Sequence, residues 1–321
     1  MTGVVTVGET MALLTTPPTG RLTAGSVMPV GIGGAESNVA VGLVRLGVPA
    51  TWVSRVGDDA FGALVLRELR AEGVTVRAEV DPDAPTGLMV KELRGGRPRR
   101  VRYHRAGSAA SRLTPADVDR VAEDIRTADA LHLTGITPAL GPGPAAAVDR
   151  AVELARAAGV AVVLDVNHRT ALWSDEVAAP VLADLARRVD VLLAGPDEAA
   201  LLLGGPVGAD VEAGLTAARA LVRRGTGTVV VKLAGLGAVE VGGGREVHGP
   251  TTPVEVVDPV GAGDAFAAGW LAASVAGGSA EERLALGNAA GGAVCRVPGD
   301  WEGLPTRAEL AETGPMTEVR R

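Results

Sequence analysis

Short runs of Val, Leu and Ala alternate along this chain with longer segments that have helical periodicity. The runs with the pattern of buried strands are VVTVGE (4–9), ATWVSRV (50–56), ALHLTG (130–135), AVVLDVN (161–167), DVLLAG (190–195) and GTVVVKL (227–233). The helical segments span residues 35–46, 59–72, 143–157, 174–188, 210–224 and about 280–295. Strands that are apolar throughout are typical of parallel sheets covered on both faces. The alternation therefore predicts an α/β fold, with a mostly parallel central sheet and helices on both of its faces.

Two stretches interrupt this alternation. Residues 10–32 are extended and punctuated by Pro and Gly, and residues 86–105 have the pattern of a β-hairpin with a Gly-Gly turn. We expect them to form a small β-flap, or lid, beside the main body. The length of 321 residues fits one domain over residues 1–321, and we expect residues 312–321 to fray.

Charge and composition exclude several classes of function. The net charge of −7 argues against a nucleic-acid binder, which usually presents a basic face, and the one basic run (94–100) is expected to be a solvated hairpin tip. The single cysteine, Cys295, cannot form a disulfide within the chain and fits a reducing compartment. The N-terminus lacks a signal-peptide pattern, and the longest uncharged stretch, Ala265–Ala280, is too short to span a membrane. We therefore expect a cytoplasmic protein with no nucleic-acid or membrane partner.

The stretch DPVGAGDAFAAGW (258–270) carries the most specific chemistry. A strand is expected to end just before it and a helix to begin within it. Unpaired amides at a helix start attract an anion, and Gly261 and Gly263 let the backbone approach a phosphate closely. Asp264 follows at once, where it can take the proton of a hydroxyl that attacks the phosphoryl group. The alternative left open by these residues alone is that Asp264 only caps the helix.

Other nucleotide and metal motifs are missing from the sequence. A Walker A loop needs Gly-Lys-Ser/Thr, and neither Lys91 nor Lys232 follows a glycine. The protein-kinase His-Arg-Asp triplet is also missing, and GIGGAES (31–37) has Glu36 where a dinucleotide motif needs its third glycine. No two histidines have the spacing of a metal site.

Three separated segments resemble the ribokinase-like (PfkB) sugar kinases. They are GGAESNVAVGLVRLG (33–47), VGDDAFG (56–62) and DPVGAGDAFAAG (258–269), which stand in the order of that family. The resemblance runs from about residue 3 to residue 310. Within the family, four further segments are similar to the 2-keto-3-deoxygluconate kinases: YHRAGSAAS (103–111), LHLTGITPAL (131–140), LDVNHRTALW (164–173) and GDWEG (299–303).

The resemblance implies ATP-dependent phosphorylation of a primary sugar hydroxyl, with ATP and Mg²⁺ as cofactors and a monovalent cation as a further candidate. Asp264 would be the catalytic base, and Gly34 and Asn38 would bind substrate hydroxyls. An alternative for Asn38 is a polar helix residue without function. The positions that the resemblance assigns to the anion hole are Gly261, Ala262 and Gly263.

The substrate class is indicated by arginines. Tyr103, Arg105 and Arg169 stand where this subgroup contacts the acid end of its substrate, and a guanidinium can bind a carboxylate through two charge-assisted hydrogen bonds. A neutral sugar needs no such group. Arg105 has the alternative of a solvated arginine at the end of a hairpin. The further positions assigned to the substrate are Met89, where relatives often have a tyrosine, and Asn167 and Asp300.

The nucleotide site is implied by a third set of residues. VVVKLAGLGAVEV (229–241) resembles the family's Lys-x-Gly-x-x-Gly segment, with Ala234 in place of the first glycine. Glu198 matches the acidic residue that organises Mg²⁺ through water, although Gly195 replaces the polar residue three positions earlier; a carboxylate at a helix start is the alternative. The positions assigned to the nucleotide are Asn167, Arg169, Lys232, Gly235, Gly237, Gly261, Gly263 and Asn288, the last with the alternative of a surface asparagine.

The preferred hypothesis is a kinase that phosphorylates C6 of 2-keto-3-deoxygluconate or a close keto-deoxy sugar acid. Two alternatives stay open: a kinase for fructose or another neutral sugar, and a catalytically silent sugar or nucleotide sensor on the same fold. The sequence does not fix the configuration of the sugar at C4. A homo-oligomer, as a dimer through the lids or a larger assembly, is also expected.

Overall fold

A computed structural model describes residues 2–312. The strands are β1 (Val4–Val7), β2 (Met11–Thr15), β3 (Val30–Gly33), β4 (Ala50–Gly57), β5 (Thr75–Asp81), β6 (Leu88–Arg94), β7 (Arg97–His104), β8 (Ala130–Thr134), β9 (Ala161–Asp165), β10 (Val191–Ala194), β11 (Thr228–Lys232), β12 (Ala238–Gly242) and β13 (Arg245–Gly249). The α-helices are α1 (Ala35–Arg45), α2 (Ala60–Ala71), α3 (Pro115–Asp119), α4 (Ala122–Arg126), α5 (Ile136–Ala139), α6 (Pro142–Ala158), α7 (Asp175–Ala186), α8 (Pro196–Leu203), α9 (Val211–Arg223), α10 (Ala262–Val275), α11 (Ala280–Val294) and α12 (Arg307–Ala311).

The larger sheet in this part of the chain has nine strands in the order β13-β12-β11-β10-β9-β8-β1-β4-β5. Every pairing from β11 to β5 is parallel, and β12 pairs antiparallel with both of its neighbours. The six strands predicted from the apolar runs and the mostly parallel sheet are confirmed. Strands β5, β12 and β13, which lie at or next to the two edges of the sheet, were not predicted because they are less apolar than the central strands.

Both faces of this sheet are buried. Alternate residues of β8 show the arrangement: Leu131 and Leu133 belong to one core cluster, with α6, α7 and α9, whereas Ala130 belongs to a second cluster, with α1, α10 and α11. Because successive strand residues face opposite sides, the central strands must be apolar throughout. This requirement is the physical origin of the short Val- and Leu-rich runs.

The lid is a second sheet of four strands in the order β3-β2-β6-β7. Strands β6 and β7 form the predicted hairpin, with Gly95 and Gly96 at its turn in the left-handed region (φ 60° and 76°). Both segments predicted for the lid, 10–32 and 86–105, contribute two strands each. The predicted single domain is untested by this geometry, and most of the fraying terminus expected at 312–321 lies outside the described residues.

One predicted strand, expected to end before the DPVGAGD stretch, is wrong. Residues 250–261 contain no strand. Pro253 and Pro259 lack the amide that a ladder needs. The amides of Val257 and Asp258 donate to the Cys295 carbonyl (2.8 and 3.3 Å) at the end of α11. The segment is therefore held by a helix end instead of a sheet neighbour.

Within residues 2–312, no helix combines the length and the apolar composition that crossing a bilayer requires.

Candidate active site

A pocket lies where the carboxyl ends of the central strands meet the inner face of the lid. Ligands bind at this edge of open parallel sheets. The main body contributes Glu9, Gly34, Glu36, Asn38, Arg169, Gly261, Asp264 and Asp300 to the pocket wall. The lid contributes Met11, Leu13, Met89, Lys91, Val101, Tyr103 and Arg105.

Asp264 lies in the first turn of α10 and is only 8% exposed. The Asn38 Nδ2 donates to one carboxylate oxygen (2.8 Å) and the Asn167 Nδ2 to the other (3.3 Å). Asn167 has a left-handed backbone (φ 40°), which asparagine tolerates better than most residues and which aims its amide at Asp264. Two residues that are distant in the sequence thus hold the carboxylate in one orientation.

Burial raises the pKa of Asp264 to about 6. The hydrogen bond from Asn38 and the positive charges of Arg169 and Lys232 act in the opposite direction, while Asp165 adds to the increase. A carboxylate with this pKa is mostly ionised at neutral pH and is a stronger base than an ordinary aspartate. Its properties suit the removal of a hydroxyl proton.

The start of α10 is open toward the pocket. Gly261 caps the helix with φ 80°, and a Cβ there would overlap the Asp300 carbonyl, so only glycine fits. The Ala262 amide donates weakly to the Pro259 carbonyl (3.3 Å), whereas the Gly263 amide has no partner among residues 2–312. Free amides at the positive end of a 14-residue helix form a site for an anion.

The two arginines predicted for the substrate carboxylate differ in their surroundings. Arg169 is exposed at the rim, and its guanidinium donates no hydrogen bond to residues 2–312. Arg105 is buried and paired: its Nε donates to Glu9 Oε2 (2.6 Å), and its guanidinium carbon lies 5.7 Å from the centre of the Tyr103 ring. Ser108 donates to the second oxygen of Glu9 (2.5 Å). Of these two arginines, Arg105 is therefore preorganised by a carboxylate of the protein, whereas Arg169 is unpaired within residues 2–312.

Asp300 brings a second carboxyl group into the pocket. Burial, and then the nearby charge of Asp264, raise its pKa to about 7. A Cβ at Gly33 would overlap the Asp300 carboxylate and the Met89 methyl group, which shows how closely these side chains pack against the lid backbone. A Cβ at Gly34 would likewise overlap the Glu9 carbonyl.

Most of the residues predicted to bind the nucleotide lie near the ends of β9 and β11. Lys232 Nζ donates to both oxygens of Asp165 (2.7 and 2.9 Å) beneath the start of α10. Ala234, which replaces a glycine, adopts the left-handed φ of 50° that glycine would adopt without strain. Gly237 is at φ 88° beside the Gly249 carbonyl, and Gly235 has open space around it. Asn288 donates to the carbonyls of Gly249 and Pro250 (2.8 and 3.3 Å) and so supports this loop.

Glu198 is held by backbone amides. Its carboxylate oxygens accept from His168 N (2.9 Å) and Gly195 N (2.6 Å), and both Glu198 and Asp165 act electrostatically on Lys232. Within the described residues, no three acidic, His or Cys side chains are grouped to cage a metal. Mg²⁺ keeps several waters and binds proteins through one or two carboxylates plus substrate phosphates. The two carboxylates that act on Lys232 fit an ion bound in this way.

Four groups in the site were missed by the sequence reasoning: Glu9, Glu36, Lys91 and Asp165. Glu36 is fully buried, and its Oε1 accepts from Thr134 (2.6 Å) and Thr137 (2.8 Å). Its Oε2 has no partner within residues 2–312, and burial raises the pKa of Glu36 to about 7. The sequence contained a signal that could have identified two of these four residues. Glu9 lies two residues beyond β1 and Asp165 ends β9, and the carboxyl ends of strands are where an α/β sheet places its ligands.

Known carbohydrate kinases resemble this chain over most of its length. A family model described as pfkB family carbohydrate kinase matches residues 1–307. The chain is 38% identical over 312 residues to the 2-dehydro-3-deoxygluconokinase of Bacillus subtilis (strain 168), which covers 96% of this chain and 94% of that protein. The 2-dehydro-3-deoxygluconokinase structure from Thermotoga maritima matches with a TM-score of 0.87 at 29% identity, over 96% of this chain and 98% of that chain. An E. coli protein assigned as ribokinase II, solved with ATP and Mg²⁺, matches with a TM-score of 0.85 at 26% identity, over 97% and 98%. The chain belongs to the pfkB family of carbohydrate kinases, as the sequence motifs predicted.

Proposed function

We propose that this protein transfers the γ-phosphoryl group of ATP to the C6 hydroxyl of 2-keto-3-deoxygluconate (2-dehydro-3-deoxygluconate) or a close keto-deoxy sugar acid. One observation carries the proposal: a buried, basic carboxylate (Asp264), an open helix start and a free guanidinium (Arg169) share one pocket. The kinases of that name among the relatives support the substrate class.

Asp264 takes the proton as the C6 oxygen attacks phosphorus. A new O–P bond forms, the bond between the γ-phosphorus and the bridging oxygen breaks, and ADP leaves. The open amides at the start of α10 bind the charge that develops on the transferred group. Lys232 lies on the phosphate side, where Asp165 fixes its position. Glu198 and Asp165 would hold Mg²⁺ through water, and the ion would neutralise phosphate charge.

The sugar is placed between the main body and the lid. Asn38 and Gly34 lie beside Asp264 for the hydroxyl end, and Arg169 and the Arg105–Tyr103 pair are available to the carboxylate end. The apolar inner surface formed by Met11, Leu13 and Met89 closes over the sugar and excludes water, which would otherwise compete as acceptor.

Assembly through the lids and a cytoplasmic location stay predictions.

The proposal is tested by measuring ADP release with Mg-ATP and four sugars in parallel: 2-keto-3-deoxygluconate, its galactonate epimer, fructose and ribose. Turnover confined to the keto acids is expected. Arg169→Ala should raise KM for the keto acid about 10- to 100-fold, because a hydrogen bond to a charged group contributes about 1.5–3 kcal/mol. Arg97→Ala, at the exposed hairpin tip, is the matched control and should leave KM unchanged.

The outcomes separate the alternatives. Turnover on fructose or ribose would preserve the chemistry of Asp264 but refute the assignment of Arg169 to a carboxylate. Asp264→Asn is expected to bind nucleotide and to lose turnover by a factor of about 10² to 10⁴. Background nucleotide turnover with every sugar would favour a sensor.

A further inference from the structure

Lys91 is a buried cation that joins the lid to the start of the phosphate-binding loop. It lies on lid strand β6 and its side chain is 4% exposed. Its Nζ donates to Asp258 Oδ2 (2.6 Å) and to the Gly299 carbonyl (2.8 Å). The sequence shows only two lysines, and the function proposed above does not use this one.

Asp258 connects this cation to two loops. Its Oδ1 accepts from the Val260 amide (3.1 Å), just ahead of the open helix start, and its Oδ2 accepts from the Gly299 amide (3.3 Å). Gly299 precedes Asp300, which lines the sugar pocket and packs against Gly261. The ammonium thus holds the loop that binds the phosphoryl group against the loop that bounds the sugar.

Asp258 requires the positive charge of Lys91 at this position. Asp258 is 1% exposed, and a buried carboxylate without a partner cation is strongly unfavourable. A carboxylate and a backbone carbonyl are also the oxygen ligands that a free monovalent cation would take. Lysine supplies its charge as a compact ammonium group, which resembles such an ion more closely than an arginine does.

We propose that Lys91 is a positioning residue that acts as a built-in monovalent cation for the phosphate-binding loop, so that turnover needs no free K⁺ or Na⁺. The proposal rests on the kinase function proposed above. Lys91 does not act on the reacting atoms; it fixes Asp258 and, through it, the open helix start. Closure of the lid and order in this loop are therefore coupled through one ion pair.

The test uses the full chain with all inorganic monovalent cations replaced by tetramethylammonium, which is too large for the site. ADP release with 2-keto-3-deoxygluconate is measured before and after addition of KCl, NaCl, ammonium or methylammonium chloride. Wild-type turnover is expected to change by less than twofold. Lys91→Met is expected to lose at least tenfold in kcat and to recover at least threefold with one of these small cations. Arg102→Met, which removes the exposed lid ion pair with Glu92, is the matched control and should show neither effect.

A second readout does not depend on activity. The Tm of Lys91→Met should rise when a small cation is added, whereas the Tm of the wild type should not. The double variant Lys91→Met/Asp258→Asn lacks both charges. It keeps the protein foldable if the single variant fails to fold, and its Tm should not change when a small cation is added.

Each result bears on the proposal. Wild-type dependence on added K⁺ would overturn it, as would full kcat in Lys91→Met or a folded Lys91→Met that no small cation improves in kcat or Tm. If the wild type turns over none of the sugars, the proposed function fails, and the Tm measurements still decide the role of Lys91.

Discussion

Replacing Asn38 by leucine is expected to shift the pH dependence of turnover toward higher pH. The Asn38 amide donates to Asp264 (2.8 Å) and so favours its charged form. A hydrogen bond to a charged group contributes about 1.5–3 kcal/mol, and one pKa unit corresponds to about 1.4 kcal/mol. The loss of this bond should therefore raise the pKa of Asp264 by about 1–2 units.

The size of the effect follows from the pKa of about 6 in the wild type. The base must be ionised to accept a proton, so kcat/KM should fall on the acid side and be about tenfold below its plateau at pH 5. At pH 6.5 about three quarters of the wild type is ionised. If the pKa of Asp264 rises by about 1.5 units in the variant, only about one tenth of Asp264 is ionised at this pH. The variant therefore loses about eightfold more kcat/KM than the wild type at pH 6.5, and this difference disappears near pH 9.

The assay is kcat/KM for the sugar acid from pH 4.5 to 9.5, with Mg-ATP saturating throughout. Only the position of the acid limb is compared, since Asn38→Leu is also expected to weaken sugar binding. Ser37→Ala is the matched control: Ser37 is buried on the same helix but donates to the Gly34 carbonyl. The account of Asp264 as the base would be refuted by an acid limb whose midpoint stays near pH 6 in Asn38→Leu. It would also be refuted if the midpoint in Ser37→Ala shifted by as much as in Asn38→Leu.

Three further predictions concern other parts of the molecule. Glu9→Gln leaves the buried guanidinium of Arg105 without its charge partner and should lower the free energy of unfolding by about 3 kcal/mol in urea titrations; a loss below 1 kcal/mol would contradict this. Gly33→Ala should raise KM for the sugar at least tenfold with KM for ATP unchanged, whereas Gly31→Ala on the same strand should alter neither in steady-state kinetics. His132→Leu should reduce the acid sensitivity of folding. Burial lowers the pKa of His132 to about 3, so the unfolded chain binds a proton below pH 6.5 that the folded chain refuses. The wild type should lose about 2 kcal/mol between pH 7.5 and 5 that the variant retains, and equal losses would refute this.

The fold could be predicted largely because burial imposes a readable pattern. Central strands covered on both faces must be apolar throughout, and the lid hairpin is marked by Gly95 and Gly96. Strand β12 and the edge strand β13 have mixed composition and show no such pattern. The strand expected before the DPVGAGD stretch failed because two prolines, and the Cys295 carbonyl as an alternative acceptor, removed it from the sheet.

The candidate site was predictable where chemistry is local in the sequence. Asp264 and the glycines before it form one contiguous motif. The partners of Arg105 and Asp258 could not be predicted, because Glu9 lies 96 residues from Arg105 and Lys91 lies 167 residues from Asp258. Such pairs arise only when the lid folds over the sheet.

The lid and the main body are interwoven, since the chain passes between them four times. It leaves after β1, returns after β3, leaves again after β5 and returns after β7. Each passage carries a glycine at its junction: Gly8, Gly34, Gly87 and Gly107. The lid therefore cannot be exchanged as one contiguous module between family members. To transplant a substrate specificity, two separate segments would have to be replaced together, with the four glycine junctions preserved.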